Sequence, residues 1–198
     1  MRKLIVFYLF TLSIICYADK WTLPSEITAT SPDAQYFIKV IPGNNYGKSY
    51  SFEGAKINGY NAEASLYKVI GKSKFRLKSK FFLKNPVAPV DIYVNNQGKT
   101  ITLDNWSNLG YGAIWVIYQT DGKVIKEWGL KDLYSDAEID KIQRTVSSIW
   151  WRCDEPKLDS NTNKFTVKGV LEHEFSLDLS MNTLEARKQK NVCKDSPF

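Results

Sequence analysis

The stretch Val90-Asp91-Ile92-Tyr93-Val94-Asn95-Asn96-Gln97-Gly98-Lys99-Thr100-Ile101-Thr102-Leu103 decides the fold class. β-Branched and aromatic residues recur with period two on both sides of a polar, glycine-containing turn, which is the pattern of two antiparallel strands. A second hairpin follows, Ala113–Tyr118 and Lys123–Trp128, joined across Asp121-Gly122. Asp-Gly between such runs predicts a type I′ turn, with positive φ at both central residues.

Working outward, the same arrangement recurs. Phe37, Ile101 and Phe165 are spaced 64 residues apart, and each follows a polar turn: Ser31–Gln35, Asn95–Lys99 and Asp159–Asn163. Each is followed by a further hairpin: Ala64–Val69 with Phe75–Leu77, Ala113–Tyr118 with Lys123–Trp128, and Glu174–Leu179 with Thr183–Arg187. The chain is therefore expected to be all-β, built of antiparallel four-stranded units over about 27–85, 86–145 and 146–190. The units suit either propeller blades or a sandwich-like open sheet. One short helix is expected near 136–145, because Ser135-Asp136-Ala137-Glu138 forms a capping box and Ile139, Ile142 and Val146 follow at helical spacing.

Pro89–Leu133 resembles exported bacterial proteins of unknown function with β-propeller-like repeats, most closely in Val94–Asp104 and Tyr118–Lys123. Ser147-Ser148-Ile149-Trp150-Trp151-Arg152 is similar to a block in such proteins. The resemblance implies blade-like units and no particular chemistry. No Trp-Asp dipeptide occurs, and Asp121 abuts Gly122, so the sialidase Asp box is absent. Three units also fall short of the four to eight that close a ring.

Residues 1–18 open Met-Arg-Lys and continue uncharged from Leu4 to Ala18, the pattern of a signal peptide cleaved after Ala18. A lipoprotein signal fits less well because Ile15 precedes Cys16. The chain is expected to be exported, periplasmic or secreted, and not membrane-spanning after processing. The full chain has 198 residues and a net charge of +6. Removing Arg2, Lys3 and Cys16 leaves 25 basic and 21 acidic residues, a charge of +4, and two cysteines, Cys153 and Cys193. In an oxidising compartment these are expected to pair, the alternative being two unrelated thiols. Residues 19–190 form the expected single domain and 191–198 a tail.

Candidate chemistry is sparse. One His, His173, and three Cys leave little for a metal centre, and no metal or cofactor is expected. Asp159-Ser160-Asn161-Thr162-Asn163 opens like a calcium loop, but Lys164 and Val170 replace its required Gly and Glu, so it reads as a turn. His173 is expected at a strand start, with Glu172 and Glu174 on the opposite face. Asp104, beside the Gly-rich loop 105–112, is the one weak catalytic candidate; its alternative is a structural carboxylate capping backbone amides. Trp106, Tyr111, Trp150 and Trp151 are candidate binding residues, able to stack on sugars or anchor a protein, although adjacent Trp150 and Trp151 point to opposite faces and one of them should enter the core.

Lys72, Lys74, Arg76, Lys78 and Lys80 alternate with other residues in a run without acids. On one strand face they suit an anionic surface such as lipid headgroups or acidic glycans; equally, they suit an edge strand guarded against pairing. Export excludes nucleic acid. The expected function is a non-enzymatic binding or assembly module of the bacterial envelope, with a protein or glycan partner. The alternatives are a carboxylate-dependent hydrolase of glycan-type substrates and a self-associating, incomplete propeller scaffold.

Overall fold

A computed structural model describes residues 21–45, 54–190 and 193. The expected signal peptide and all of the tail except Cys193 lie outside the described residues. Among the described residues, twelve strands form three antiparallel sheets, each a simple meander. Sheet 1 comprises β1 (Ile27–Thr30), β2 (Tyr36–Ile41), β3 (Glu63–Gly71) and β4 (Lys74–Phe82). Sheet 2 comprises β5 (Pro89–Val94), β6 (Thr100–Asn105), β7 (Trp115–Tyr118) and β8 (Val124–Trp128). Sheet 3 comprises β9 (Arg152–Asp159), β10 (Lys164–Gly169), β11 (His173–Asp178) and β12 (Thr183–Lys188).

The sheets stack face to face, with sheet 2 in the middle and buried on both sides. One layer of core joins Ile38, Val40, Ala64 and Leu66 of sheet 1 to Ile92, Val94, Val116 and Tyr118 of sheet 2. The other joins Ile101, Leu103, Trp115 and Ile117 to Phe165, Val167, Phe175 and Leu177 of sheet 3. This explains why β6 and β7 are buried throughout and why β7, Trp115-Val116-Ile117-Tyr118, is an unbroken apolar and aromatic run. First strands lie together: β1 beside β5, and Arg152 at the start of β9 reaches Asp91 of β5. Four-stranded meanders stacked with their first strands together are blade-like.

Phe37, Ile101 and Phe165 all fall on the second strand of their sheet, so the spacing found the repeat. They do not fall in one register. Ile101 faces sheet 3, whereas Phe165 faces back onto sheet 2 and Phe37 faces away from it. The turn in unit 2 is one residue shorter: Asn95 N–H bonds Lys99 O there, while Ser31 N–H spans to Tyr36 O in unit 1. With a side-chain period of two, one residue reverses the face.

The turn at Asp121-Gly122 is not type I′. Only Gly122 has positive φ, 88°, and Gln119 N–H bonds Lys123 O while Gly122 N–H bonds Gln119 O. Asn95–Lys99 repeats both bonds, with Gly98 at φ 79°. Both are therefore type I turns followed by a left-handed glycine. A Cβ on Gly122 would also run into Phe81 of sheet 1, so the turn needs glycine for conformation and for packing.

The expected helix over 136–145 is cut to a single turn, α2 (Asp136–Ile139), and a further single turn, α1 (Leu130–Leu133), precedes it. The capping box is present: Ser135 N–H donates to Glu138 Oε2 at 3.0 Å. Beyond Ile139 the chain leaves the helix because Arg144 pairs with Ile149 in a β-bridge, and the Arg144 guanidinium caps Ile139 O at 2.9 Å. Ile142 is buried, but Val146 is 85% exposed, so the apolar stripe ends one turn early.

Cys153 and Cys193 form a disulfide with their Cα atoms 5.8 Å apart. It ties the segment after β12 to β9, and closing a 40-residue separation contributes about 4 kcal/mol by loss of chain entropy in the unfolded state.

Candidate functional site

In each meander the odd-to-even hairpins gather at one end of the stack and the longer connections at the other. Side-chain bonds hold the hairpin end together: Asn96 Oδ1 accepts from Asp33 N–H, and Asn95 Nδ2 donates to Asn163 Oδ1. The candidate residues divide between these ends. Trp106, Tyr111 and Trp150 lie at the connection end, whereas Lys72 and Lys74 lie at the hairpin end.

At the connection end, Asp104 is the centre of the polar arrangement. It is the penultimate residue of β6 and has φ 56°, a conformation Asp tolerates better than most residues. Its carboxylate is 0% exposed. Oδ1 accepts from the Trp151 indole N–H at 2.7 Å and from Gly110 N–H at 3.1 Å. Oδ2 accepts from Arg152 Nε at 2.7 Å. The other arm of Arg152 meets Asp91 at the more open margin. One guanidinium thus serves two carboxylates. Burial raises the Asp91 carboxyl above its ordinary value against the pull of Arg152, and Asp104 and Glu155 add to the rise. Burial likewise pushes the Tyr93 phenol up to about 12, helped by Asp91 and Glu155.

The Gly-rich loop 105–112 is folded around this anchor. Asn105 Nδ2 donates to Tyr111 O at 2.7 Å, and Asn85 Nδ2 donates to Asp104 O and Asn105 Oδ1, each at 2.9 Å. Ile149 N–H bonds Leu109 O, which draws the segment carrying Trp150 and Trp151 against the loop. Trp151 is among the candidate binding residues. It is wholly enclosed and spends its N–H on Asp104, so of the adjacent tryptophans it is the one in the core. Trp150 is half-buried. Trp106 donates to Thr22 O at 3.1 Å and sets its ring edge-on to Trp21. Tyr111 is exposed.

His173 does start β11, but its carboxylate partner comes from elsewhere. Its Nε2–H donates to Glu138 Oε1 at 3.0 Å, and its ring stacks on Phe175 and meets Tyr134 edge-on. Glu138 is held down to about 2 by Ser135 N–H first, then by His173 and the Ser135 hydroxyl. Sequence gave no sign of this pair, whose members are 35 residues apart. Asp159 caps its own turn, accepting from Asn161 N–H and from the Thr162 hydroxyl.

The basic run lies on β3–β4, and β4 is the edge of sheet 1. It does not present its five cations on one face. Leu66 pairs with Ser79 and Tyr67 with Leu77, so Lys78 is the extra residue of a bulge. The bulge reverses the alternation. Lys80 lies on the outer face, pairing with Glu63 at 2.7 Å, while Arg76, opposite Lys68, lies on the inward face. Lys72 belongs to the turn.

An open pocket of about 260 Å³ at the hairpin end is lined by Gln97, Lys99, Gln119, Thr120, Ile125 and Asn182. Lys99 Nζ is tied to Leu179 O and Asn182 Oδ1. Among the described residues no helix is long and apolar enough to cross a membrane.

Comparison with known protein families and with curated proteins found no match. Among solved structures, the chain is similar to the crystal structure of HIRA(644-1017), with 12% identity and a TM-score of 0.38 over 85% of this chain and 56% of that one. The chain thus spans little more than half the length of that solved chain.

Proposed function

We propose that the protein is an exported bacterial envelope protein acting as a non-enzymatic binding or assembly module. The observation that carries this reading is the enclosure of Asp104. Both carboxylate oxygens are engaged by Trp151, Gly110 and Arg152, and none of its surface reaches solvent. A general acid, base or nucleophile must come within hydrogen-bond reach of substrate, and an anchor holding three donors in the core does not. The disulfide is compatible with the oxidising setting of an exported chain. Trp106, Tyr111 and Trp150 at the connection end are the proposed contacts for a protein or glycan partner.

The reading is tested by screening the chain and its Asp104→Asn variant for turnover of glycans and esters, alongside a pull-down from envelope extract. Turnover lost in a folded variant would sink it. The expected result is no turnover and a specifically retained partner. Self-association into a ring fits less well, because the free face of sheet 1 carries the apolar row Phe37, Tyr67 and Leu77 whereas that of sheet 3 is polar; light scattering should report a monomer.

A further inference from the structure

On sheet 3, Phe165, Leu177 and Leu184 form a cross-strand row over β10, β11 and β12. That row packs on sheet 2, where Phe165 meets Tyr93 and Trp115. Sheet 1 carries the corresponding row, Phe37, Tyr67 and Leu77 over β2, β3 and β4. Phe75 extends it, its ring 6.0 Å from that of Phe37. No described sheet covers this second row. Phe75 is 56% exposed, Leu77 52%, and Ile70 at the hairpin tip 55%. The bulge at Lys78 creates the row, since unbroken alternation would turn Leu77 to the inward side with Ser79.

Cations fringe these apolar residues. Lys72, Lys74, Arg76 and Lys78 are all exposed, and among the described residues none has a carboxylate at ion-pair distance. Lysines alone would guard an edge strand. A guarded edge has no use for an exposed phenylalanine and two exposed aliphatic side chains beside them.

We propose that the β3–β4 hairpin docks sheet 1 on an anionic lipid bilayer. Phe75 and Leu77 enter the interfacial layer, Lys72 in the turn and Lys78 in the bulge meet the headgroup phosphates, and Lys74 and Arg76, on the other face of this exposed edge, add to the positive field. Charge selects this occupant over a second copy. Two such faces apposed would bring two basic runs together. A head-to-tail contact would set the apolar row against Thr166, Lys168, Glu174 and Ser176 on the free side of sheet 3. The inference rests on the binding-module reading and names a partner for it.

The test is sedimentation with vesicles, using the chain from residue 19 onward, which retains every described element. Vesicles containing phosphatidylglycerol should bind it, phosphatidylcholine vesicles should not, and added salt should weaken binding. A combined Lys72→Glu, Lys74→Glu, Lys78→Glu variant should bind on the order of a hundredfold less tightly. Phe75→Ser with Leu77→Ser should cost about tenfold or more, with an unchanged thermal midpoint because both sites are exposed. Failure of the unmodified chain to bind anionic vesicles overturns the proposal. So does binding that survives either set of substitutions, or equal retention on soluble poly-glutamate regardless of Phe75 and Leu77, which would assign the run to an acidic polymer. Turnover in the glycan and ester screen would sink the module reading and leave vesicle binding standing, so the two failures are distinguishable.

Discussion

The two seams of the stack are built differently. Between sheets 1 and 2 the contact is apolar, Ile38, Val40, Ala64 and Leu66 against Ile92, Val94, Val116 and Tyr118. Its polar ties sit at the margins, such as Lys84 N–H to the Tyr118 hydroxyl at 2.8 Å. Between sheets 2 and 3 the apolar layer is interrupted by Asp104, Arg152 and Asp91, by the Trp151 indole, and by Tyr134, whose hydroxyl donates to Trp151 O at 2.7 Å. The connections differ to match. Residues 83–88 join β4 to β5, while 129–151 separate β8 from β9. A short connection restricts where the next sheet can dock. A long one does not, and apolar packing has no preferred direction. A hydrogen-bonded ion cluster has essentially one geometry, so it can set the register of sheet 3 on sheet 2.

If that contrast holds, the largest loss should come from the polar seam. Asp104→Ala leaves the buried Arg152 guanidinium with Asp91 as its one carboxylate partner and leaves the Trp151 and Gly110 N–H groups without their acceptor. It should cost about 3–5 kcal/mol in urea unfolding. Leu66→Ala, at the apolar seam, should cost about 3 kcal/mol by cavity formation and leave sheet 3 docked. An Asp104→Ala effect smaller than that of Leu66→Ala would mean that apolar packing, not the polar cluster, holds the stack. The smallest effect belongs to the pin between α2 and sheet 3. Glu138→Ala removes a capping partner and should cost about 1 kcal/mol at pH 7. The folded-state pKa of Glu138 is lowered from 4.5 to about 2. Its contribution is therefore full above pH 4.5 and is lost as pH falls toward 2. The gap between variant and parent in urea midpoint should close over that window; a constant gap would remove the carboxylate from the account.

Much of the fold was readable locally. The four-stranded units, their hairpin turns and the Ser135 capping box all come from short-range chemistry: β-branched alternation, left-handed glycines and a reciprocal side-chain cap. The errors are equally local in origin. A single extra residue, Lys78, divided what alternation had made one basic face. The helix stopped at Ile139 because a β-bridge from Arg144 to Ile149 claimed the chain. The anchor at Asp104 was half legible. Its place at a strand end beside a Gly-rich loop was visible, but its partners Trp151 and Arg152 are 47 and 48 residues away. The Glu138–His173 contact had no sequence signal at all.

Residue order alone therefore specified twelve short strands in three meanders and two cysteines suited to pairing, because strand period, turn conformation and thiol count depend on neighbours in the chain. Tertiary structure decided which faces meet. Whether Asp104 is a reactive carboxylate or an enclosed anchor, and whether Phe75 and Leu77 are core or surface, depends on which sheet lies against them. That is a matter of burial and long-range pairing, and neither is written in any local stretch.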